Sequence, residues 1–416
     1  MKKIFLSVFT VLAVTVFGLA FNATAEEGVT DTEIHIGQWG PQTGPAAPWG
    51  AVARGTDAYF KMINAEGGIH GRKLVHHYFD DAYNPAKTVA GVKQLQEDIG
   101  MFAWVSGVGT ACGLAVKDYL IERKIPWLSP SAGSRHWIEP PNKYIFNIYP
   151  LYLGDAQILC QYAVKKLGFK RIAIAFQNDD YGKQGLEGAT KQLAKYKMKL
   201  VEEVPINVAD TDLKPHIMKF RKAEAEAILL FVGPGHVARL IGTGKAMEFE
   251  PQWMTSTTCG DVPLMMAITK GLYAGTILAS FGMLNPKQVG IGNVEDINNP
   301  SHPLLKKYHE EAFKQFAAKE ERWGLTFAAG IAYTEPFIEA LKRVGKNLTR
   351  EKLVAEMEKI RNFQGIMGHV SYAPFKPKDP LCRIGQQEIF ISQATPDAKL
   401  KVLTDWIKTE FIPSSK

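Results

Sequence analysis

The chain has 416 residues, 46% hydrophobic and 22% charged, with a formal net charge of +7. This is an ordinary globular composition, long enough for two domains or more. The basic residues are dispersed and carry no nucleic-acid motif, so nucleic acid is not an expected partner; the four cysteines, Cys112, Cys160, Cys259 and Cys382, are too sparse for a disulfide scaffold and include no C-x-x-C pair.

Met1, Lys2 and Lys3 precede an apolar run to Phe21, and Ala23-Thr24-Ala25 offers a small-residue cleavage site. The pattern predicts a secretory signal peptide at 1–25, removed near Ala25. No later stretch is long and apolar enough to span a bilayer. Beyond the leader, strand-like runs fall at 34–37, 74–79, 102–106, 125–128, 172–176, 201–206, 227–232, 253–256 and 276–279. Helical patterns lie between them at 51–65, 85–97, 113–123, 155–167, 184–196, 212–222, 236–247 and 262–269. Strands alternating with helices of this length predict βαβ units and parallel sheet. "FKRIAIAF" and "AEAILLFV" are continuously apolar, as strands buried on both faces are. After Phe281 the chain turns loop-rich. Pro303 opens a helix through "LLKKYHEEAFKQF", and "LTFAAGIAYTEPFIEALKRVG" is a long helix ended by Gly345. Thr349 is an N-cap candidate. "IMGHVSYAPF" and "CRIGQQEIFIS" read as two strands of one hairpin, and the tail is mixed.

An enzyme needs a constellation of reactive groups, and none stands out. The adjacent His76 and His77 face opposite sides of a strand. "GTGKAM" lacks phosphate-loop spacing and follows a helix. No metal or cofactor is expected. What recurs is a polar loop at a strand's end leading into a helix: "GQWGPQTGPAAPWG", "SGVGTACG", "SPSAGSRHW", "QNDDYG", "GPGH" and "TSTTCG". Open α/β sheets bind ligands at such ends, and unpaired N–H groups at a helix N-terminus attract an anion. Thr110, Ser131 and Ser134 add hydroxyls. Trp39, Trp49, Trp137 and Tyr181 flank the loops as candidate walls for an apolar ligand body, with core packing the competing role for each.

These motifs together resemble a known family. The opening loop, "AYFKMINAEGGIHGRKLVHHYFDDAYNPAKTV", "IPWLSPSAGS", "KRIAIAFQNDDYG" and "AYTEP" are similar to the type 1 periplasmic solute-binding proteins, in the leucine/isoleucine/valine-binding branch of ABC importers. The resemblance runs from about Val29 to Ser392. It implies an α/β fold of two Rossmann-like lobes, with central parallel sheets joined by a three-crossing hinge. Residues 29–149 and 282–359 form the first lobe in this reading, 150–281 and 360–393 the second, and 394–416 a C-terminal tail. The protein would work in the periplasm as a monomer, closing on a small molecule and docking on an ABC permease in the inner membrane; a ligand-sensing receptor of the same fold is the alternative. The implied contacts are Thr110, Ala111, Ser131, Ala132 and Ser134 in the first lobe, with Trp49 where the branch has tyrosine, and the clamping Tyr181 in the second. "GPGHVAR" offers His236 in place of an aromatic pair. The branch holds the ligand ammonium with a Glu in a "G-P-E-G" loop. Here "TSTTCG" stands there, and Thr257 or Thr258 cannot neutralise an ammonium. Asp179 or Asp180 is the candidate compensation; otherwise the ligand is an organic or aromatic carboxylate or an amide. Tyr83 occupies the place of the family's first disulfide cysteine, which leaves Cys112 unpaired.

Overall fold

The structure, a computed structural model, describes residues 26–282, 286–411 and 413. The leader expected at 1–25 lies outside the described residues. Five strands make the first sheet: β1 (Glu33–Gly40), β2 (Lys73–Asp80), β3 (Ala103–Val105), β4 (Trp127–Leu128) and β5 (Ile145–Phe146). They are parallel, in the order β2-β1-β3-β4-β5. A second sheet uses β6 (Ile172–Gln177), β7 (Glu202–Ile206), β8 (Ala227–Phe231), β9 (Gln252–Thr255) and β10 (Ile277–Ser280), also mutually parallel. β11 (Val294–Glu295) extends the far edge of that sheet. β12 (Phe363–Gly365) and β13 (Gly368–Val370) pair only with each other; β14 (Glu388–Ala394), β15 (Leu400–Val402) and β16 (Ile407–Lys408) rejoin the second sheet.

The helices are α1 (Ala51–Ala65), α2 (Pro85–Asp98), α3 (Thr110–Glu122), α4 (Tyr152–Lys165), α5 (Asp180–Lys195), α6 (Lys214–Lys222), α7 (Pro234–Ala246), α8 (Val262–Ile268), α9 (Pro286–Val289), α10 (Pro303–Tyr308), α11 (Lys314–Phe316), α12 (Leu325–Val344) and α13 (Arg350–Met357). None of the described helices is long and apolar enough to cross a membrane. The architecture is thus two α/β lobes built on parallel sheets. The chain crosses between them after β5, after β10 and before β14.

Three sequence expectations need correcting. The hairpin of "IMGHVSYAPF" with "CRIGQQEIFIS" does not form. Ile366 and Met367 make the turn between β12 and β13, while β14 runs antiparallel to β10, with Ser280 opposite Phe390. The helix opened by Pro303 is interrupted by a π-turn at His309–Phe313. The helices expected at 113, 155 and 184 begin three or four residues earlier; at α3 and α5 the polar loop itself supplies the first turn. Asp179 shows how: its carboxylate accepts from the Gly182 N–H and caps α5, so Tyr181 sits in the helix's first turn.

Two contacts set the cleft walls. The glycines Gly55 of α1 and Gly330 of α12 let the two backbones touch, and the Thr56 hydroxyl donates to the Gly330 carbonyl at 3.1 Å. At the hinge, Arg383 is fully buried. It donates to the Asn142 and Ala373 carbonyls at 2.9 Å and pairs with Glu358 at 2.5 Å. The isolated bridge Asn147–Ile384 then ties the first crossing to the third.

Candidate functional site

Between the lobes lies a cleft of about 780 Å³, solvent-connected space included, lined from both sides. The first lobe contributes Trp49, Tyr83, Val108, Gly109 and Ser131. The second contributes Tyr181, Thr257, Thr258 and Asp261. The hinge adds Tyr149, Tyr152 and Phe281, and α12 adds Thr326 and Tyr333.

α3 starts at the cavity. Gly109 holds φ at 102°, a left-handed value that glycine adopts without strain, and the helix begins at the next residue. Thr110 is buried, with its hydroxyl against the Tyr152 phenol. A helix N-terminus with a hydroxyl in its first turn is suited to a carboxylate or another anion. The parallel bridge Val108–Ser131 brings the next loop alongside. The Ser131 N–H donates to the Ser106 and Gly107 carbonyls, so only its side chain faces the cavity.

Hydrogen bonds join the lobes on both flanks. Trp49 Nε1 donates to the Thr258 carbonyl at 2.9 Å. Asp261 Oδ1 accepts from Leu264 N–H at 3.1 Å, capping α8, while Oδ2 accepts from Thr326 N–H at 2.8 Å, on the first turn of α12. Opposite them, Gln184 of α5 donates to Ser134 Oγ at 2.8 Å and accepts from Arg135 N–H at 2.9 Å, and the Arg135 guanidinium pairs with Glu187. These bonds hold the two lobes together around the cavity. Each such bond contributes about 1 kcal/mol net, so closure is reversible.

Tyr181 places its ring 4.6 Å from that of Tyr152, while its hydroxyl is engaged with Ser256 Oγ at 2.9 Å and Thr258 Oγ1 at 2.8 Å. Behind this wall Asp155 accepts from Thr257 N–H at 3.0 Å and from its hydroxyl at 2.6 Å. Burial pushes the Asp155 carboxyl up to about 7, against the pull of those two bonds. Burial also raises Asp179 and Asp261, each against its own hydrogen bonds.

Of the residues singled out in the sequence, Trp49, Ser131, Tyr181 and Thr258 line the cavity; Thr110 and Ala111 do not, but follow the lining residue Gly109 in the first turn of α3. Ala132 is buried away from it and gives its carbonyl to Trp137 Nε1 at 2.8 Å. Ser134 lies on the inter-lobe flank. Trp39 is a core residue, with ring centroids 5.0 Å from Trp127 and 5.8 Å from Trp104. His236 is buried on α7 against the Asp210 carbonyl at 3.1 Å, and burial lowers its pKa. Asp180 points outward to His136 at 3.5 Å, and both Asp179 oxygens are already used, by Gly182 N–H and the Gln177 amide. Sequence reasoning missed Tyr83 as a wall, the hinge tyrosines Tyr149 and Tyr152, Tyr333, and above all Asp261, one residue beyond "TSTTCG". All four cysteines are buried and free. Among the described residues, no three His, Cys, Asp or Glu are grouped to hold a metal ion.

A family model described as "Periplasmic binding protein" matches residues 33–378. The chain belongs to this family. It sits with the type 1 members of the branched-chain amino acid branch. The Leu/Ile/Val-binding protein homolog 3 of Brucella melitensis is 29% identical over 198 residues, 47% of this chain and 53% of that protein. The Leu/Ile/Val-binding protein homolog 1 of the same organism is 25% identical over 379 residues, 89% of this chain and 92% of that one. The chain spans only about half the length of the first of these relatives. Among solved structures, a substrate-binding periplasmic protein from Ralstonia solanacearum superposes with TM-score 0.78 at 21% identity, covering 89% of this chain and all of that one. A branched-chain amino acid ABC transporter protein from Thermus thermophilus with bound valine gives 0.77 at 17%, covering 91% and 97%. A fatty acid ABC transporter substrate-binding protein from Thermomonospora curvata gives 0.77 at 22%, covering 92% and 95%. The family is made up of periplasmic solute-binding proteins, and two of these structural neighbours are named for ABC transporters.

Proposed function

We propose that this protein is the periplasmic solute receptor of an ABC importer, exported by its N-terminal leader. It traps one small carboxylate-bearing molecule between its lobes and hands it to an inner-membrane permease. The observation that carries this reading is the inter-lobe cavity itself. It is built from both lobes and the hinge, and Gly109, the residue that leads into the N-terminus of α3, lines one side. The solute carboxylate rests on that helix end, with Ser131 beside it and Tyr181 closing from the second lobe. Ligand contacts to both lobes bias an open–closed equilibrium toward closure, and no chemistry is needed. The relatives' names point to amino acids, and one structural neighbour's to a fatty acid, so a carboxylate is the shared feature.

Native mass spectrometry of the protein purified without denaturation, followed by calorimetry with the mass-matched compound, tests this. A one-to-one complex whose affinity falls when Thr110 becomes Val supports the reading. Failure of amino acids, organic acids and amides alike to bind would overturn it.

A further inference from the structure

A second chamber adjoins the inner cleft at the Asp261–Thr326 bond. Both residues line it as well as the cleft, and it holds about 1280 Å³, solvent-connected space included. Pro48 and Ala51 face it from the first lobe, Pro263 and Leu264 from the second. Its main wall is aromatic. The π-turn at His309–Phe313 begins and ends on two residues of that wall, and turns of this kind are frequent at functional sites. The His309 ring stacks on that of Phe313 at 5.6 Å and lies 4.9 Å from Trp323. Phe313 is in turn 5.5 Å from Trp323 and meets Phe327 edge-on at 5.2 Å. Burial lowers the His309 pKa, so its ring is uncharged at neutral pH.

Arg54 supplies the polar side of the chamber. Its Nη1 donates to Gln42 Oε1 at 2.6 Å, its Nη2 to Glu321 Oε1 at 3.4 Å, and its Nε to Glu321 Oε2. A guanidinium has five N–H groups, so two remain for a ligand oxygen. The side chain is 33% exposed, so those two can be reached. Glu321 already balances the Arg54 charge. Among the described residues, Arg54 and Arg322 face Asp261, Glu320 and Glu321 around the chamber, a balance that does not favour an anion. We propose that this chamber is a second binding site, separate from the inner cleft, for an uncharged aromatic molecule that carries a carbonyl oxygen; an aryl amide is the simplest example. The ring lies against Phe313 and Trp323, and the oxygen takes the two remaining Arg54 N–H groups. The site does not depend on which solute the inner cleft holds.

The test is a fluorine NMR titration of the unaltered protein with 4-fluorobenzamide, with fluorobenzene as the ring alone and trifluoroacetamide as the amide alone. The aryl amide should bind about 10-fold more tightly than either fragment. Phe313→Leu should weaken it about 3- to 10-fold through the lost ring contact. Asn298 stands exposed on the chamber's rim, so Asn298→Trp fills the space without touching the core and should abolish binding. Because Phe313 is partly buried, the rim variant decides the matter if Phe313→Leu does not fold. A control with 4-fluorobenzoate should show no binding that Asn298→Trp removes; such binding would overturn the uncharged class. Absence of aryl amide binding, or binding that survives Asn298→Trp undiminished, would overturn the site.

Discussion

The indole N–H of Trp49 reaches across the cleft to the backbone carbonyl of Thr258 at 2.9 Å, while its ring lies 5.7 Å from that of Tyr83. One side chain is both wall and latch. Trp49→Phe keeps the aromatic wall and deletes the bond. It should shift the lobes toward the open form and weaken solute binding by about 1 kcal/mol, roughly fivefold. A larger radius of gyration in small-angle scattering without solute is the expected sign. An unchanged radius together with unchanged affinity would show that the bond does not hold the lobes.

Trp39 separates core from site. It is fully buried on β1 among Trp104 and Trp127, away from the cavity. Trp39→Ala should lower unfolding free energy by about 3–5 kcal/mol, the range for emptying a large aromatic site. Urea unfolding reads this, and calorimetry on the folded protein should show near-normal affinity. A variant that is stable but fails to bind would return Trp39 to the site.

These two tryptophans also show what the sequence can say. Both sit in one glycine- and proline-rich stretch, and composition marks that stretch as a ligand-side loop. From Gly37 onward β1 is buried on both faces, and Trp49 lies beyond the strand in a 3-10 turn, so alternation cannot tell the core-facing Trp39 from the cleft-facing Trp49. The parallel strands were legible because "FKRIAIAF" and "AEAILLFV" lie within the second sheet, β6 flanked by β7 and β8. Strand pairing far along the chain was not. β14 chooses β10 over its neighbour β13, a partner that no local turn signal announces. Tyr149 and Tyr152 lie where the chain crosses between lobes and periodicity stops. Tyr333 is on a helix buried nearly all round, so no stripe singles it out. Asp261 looks in sequence like any helix cap, and it is one. Only the fold reveals that its second oxygen reaches α12 across the cleft.

Arg135 and Glu187 form the opposite latch, with Lys191 also on the carboxylate. Burial works against the Glu187 charge, but the Arg135 and Lys191 bonds prevail and hold its pKa below the usual range. The side chains are only 15% and 25% exposed, so the pair should outperform an open surface bridge. A double-mutant cycle with Arg135→Gln and Glu187→Gln should give a coupling of about 1 kcal/mol in solute affinity, and the coupling should shrink in high salt. A coupling indistinguishable from zero at low salt would remove this pair from the closure mechanism.

Asp155 makes a pH prediction with a definite sign. Its carboxyl is raised by burial from 3.8 to about 7 in the folded chain, despite the two bonds from Thr257. The folded state therefore holds this proton more tightly than the unfolded state does. Its contribution to stability is fullest below about pH 4, declines by up to about 1.4 kcal/mol per pH unit as pH rises toward 7, and is flat above. The groups facing it are Thr257 and the phenols of Tyr149 and Tyr152, none of which titrates in that window. Asp155→Asn keeps an oxygen for Thr257 and removes the titration. The variant should therefore gain on the parent protein as pH is raised from 4.5 to 7.5, by a few kcal/mol in urea-derived unfolding free energy. Other titrating groups cancel in that difference. A gap between the two proteins that stays constant across the range would mean that Asp155 ionises near its ordinary value, with water or a counter-charge reaching it behind the cavity wall.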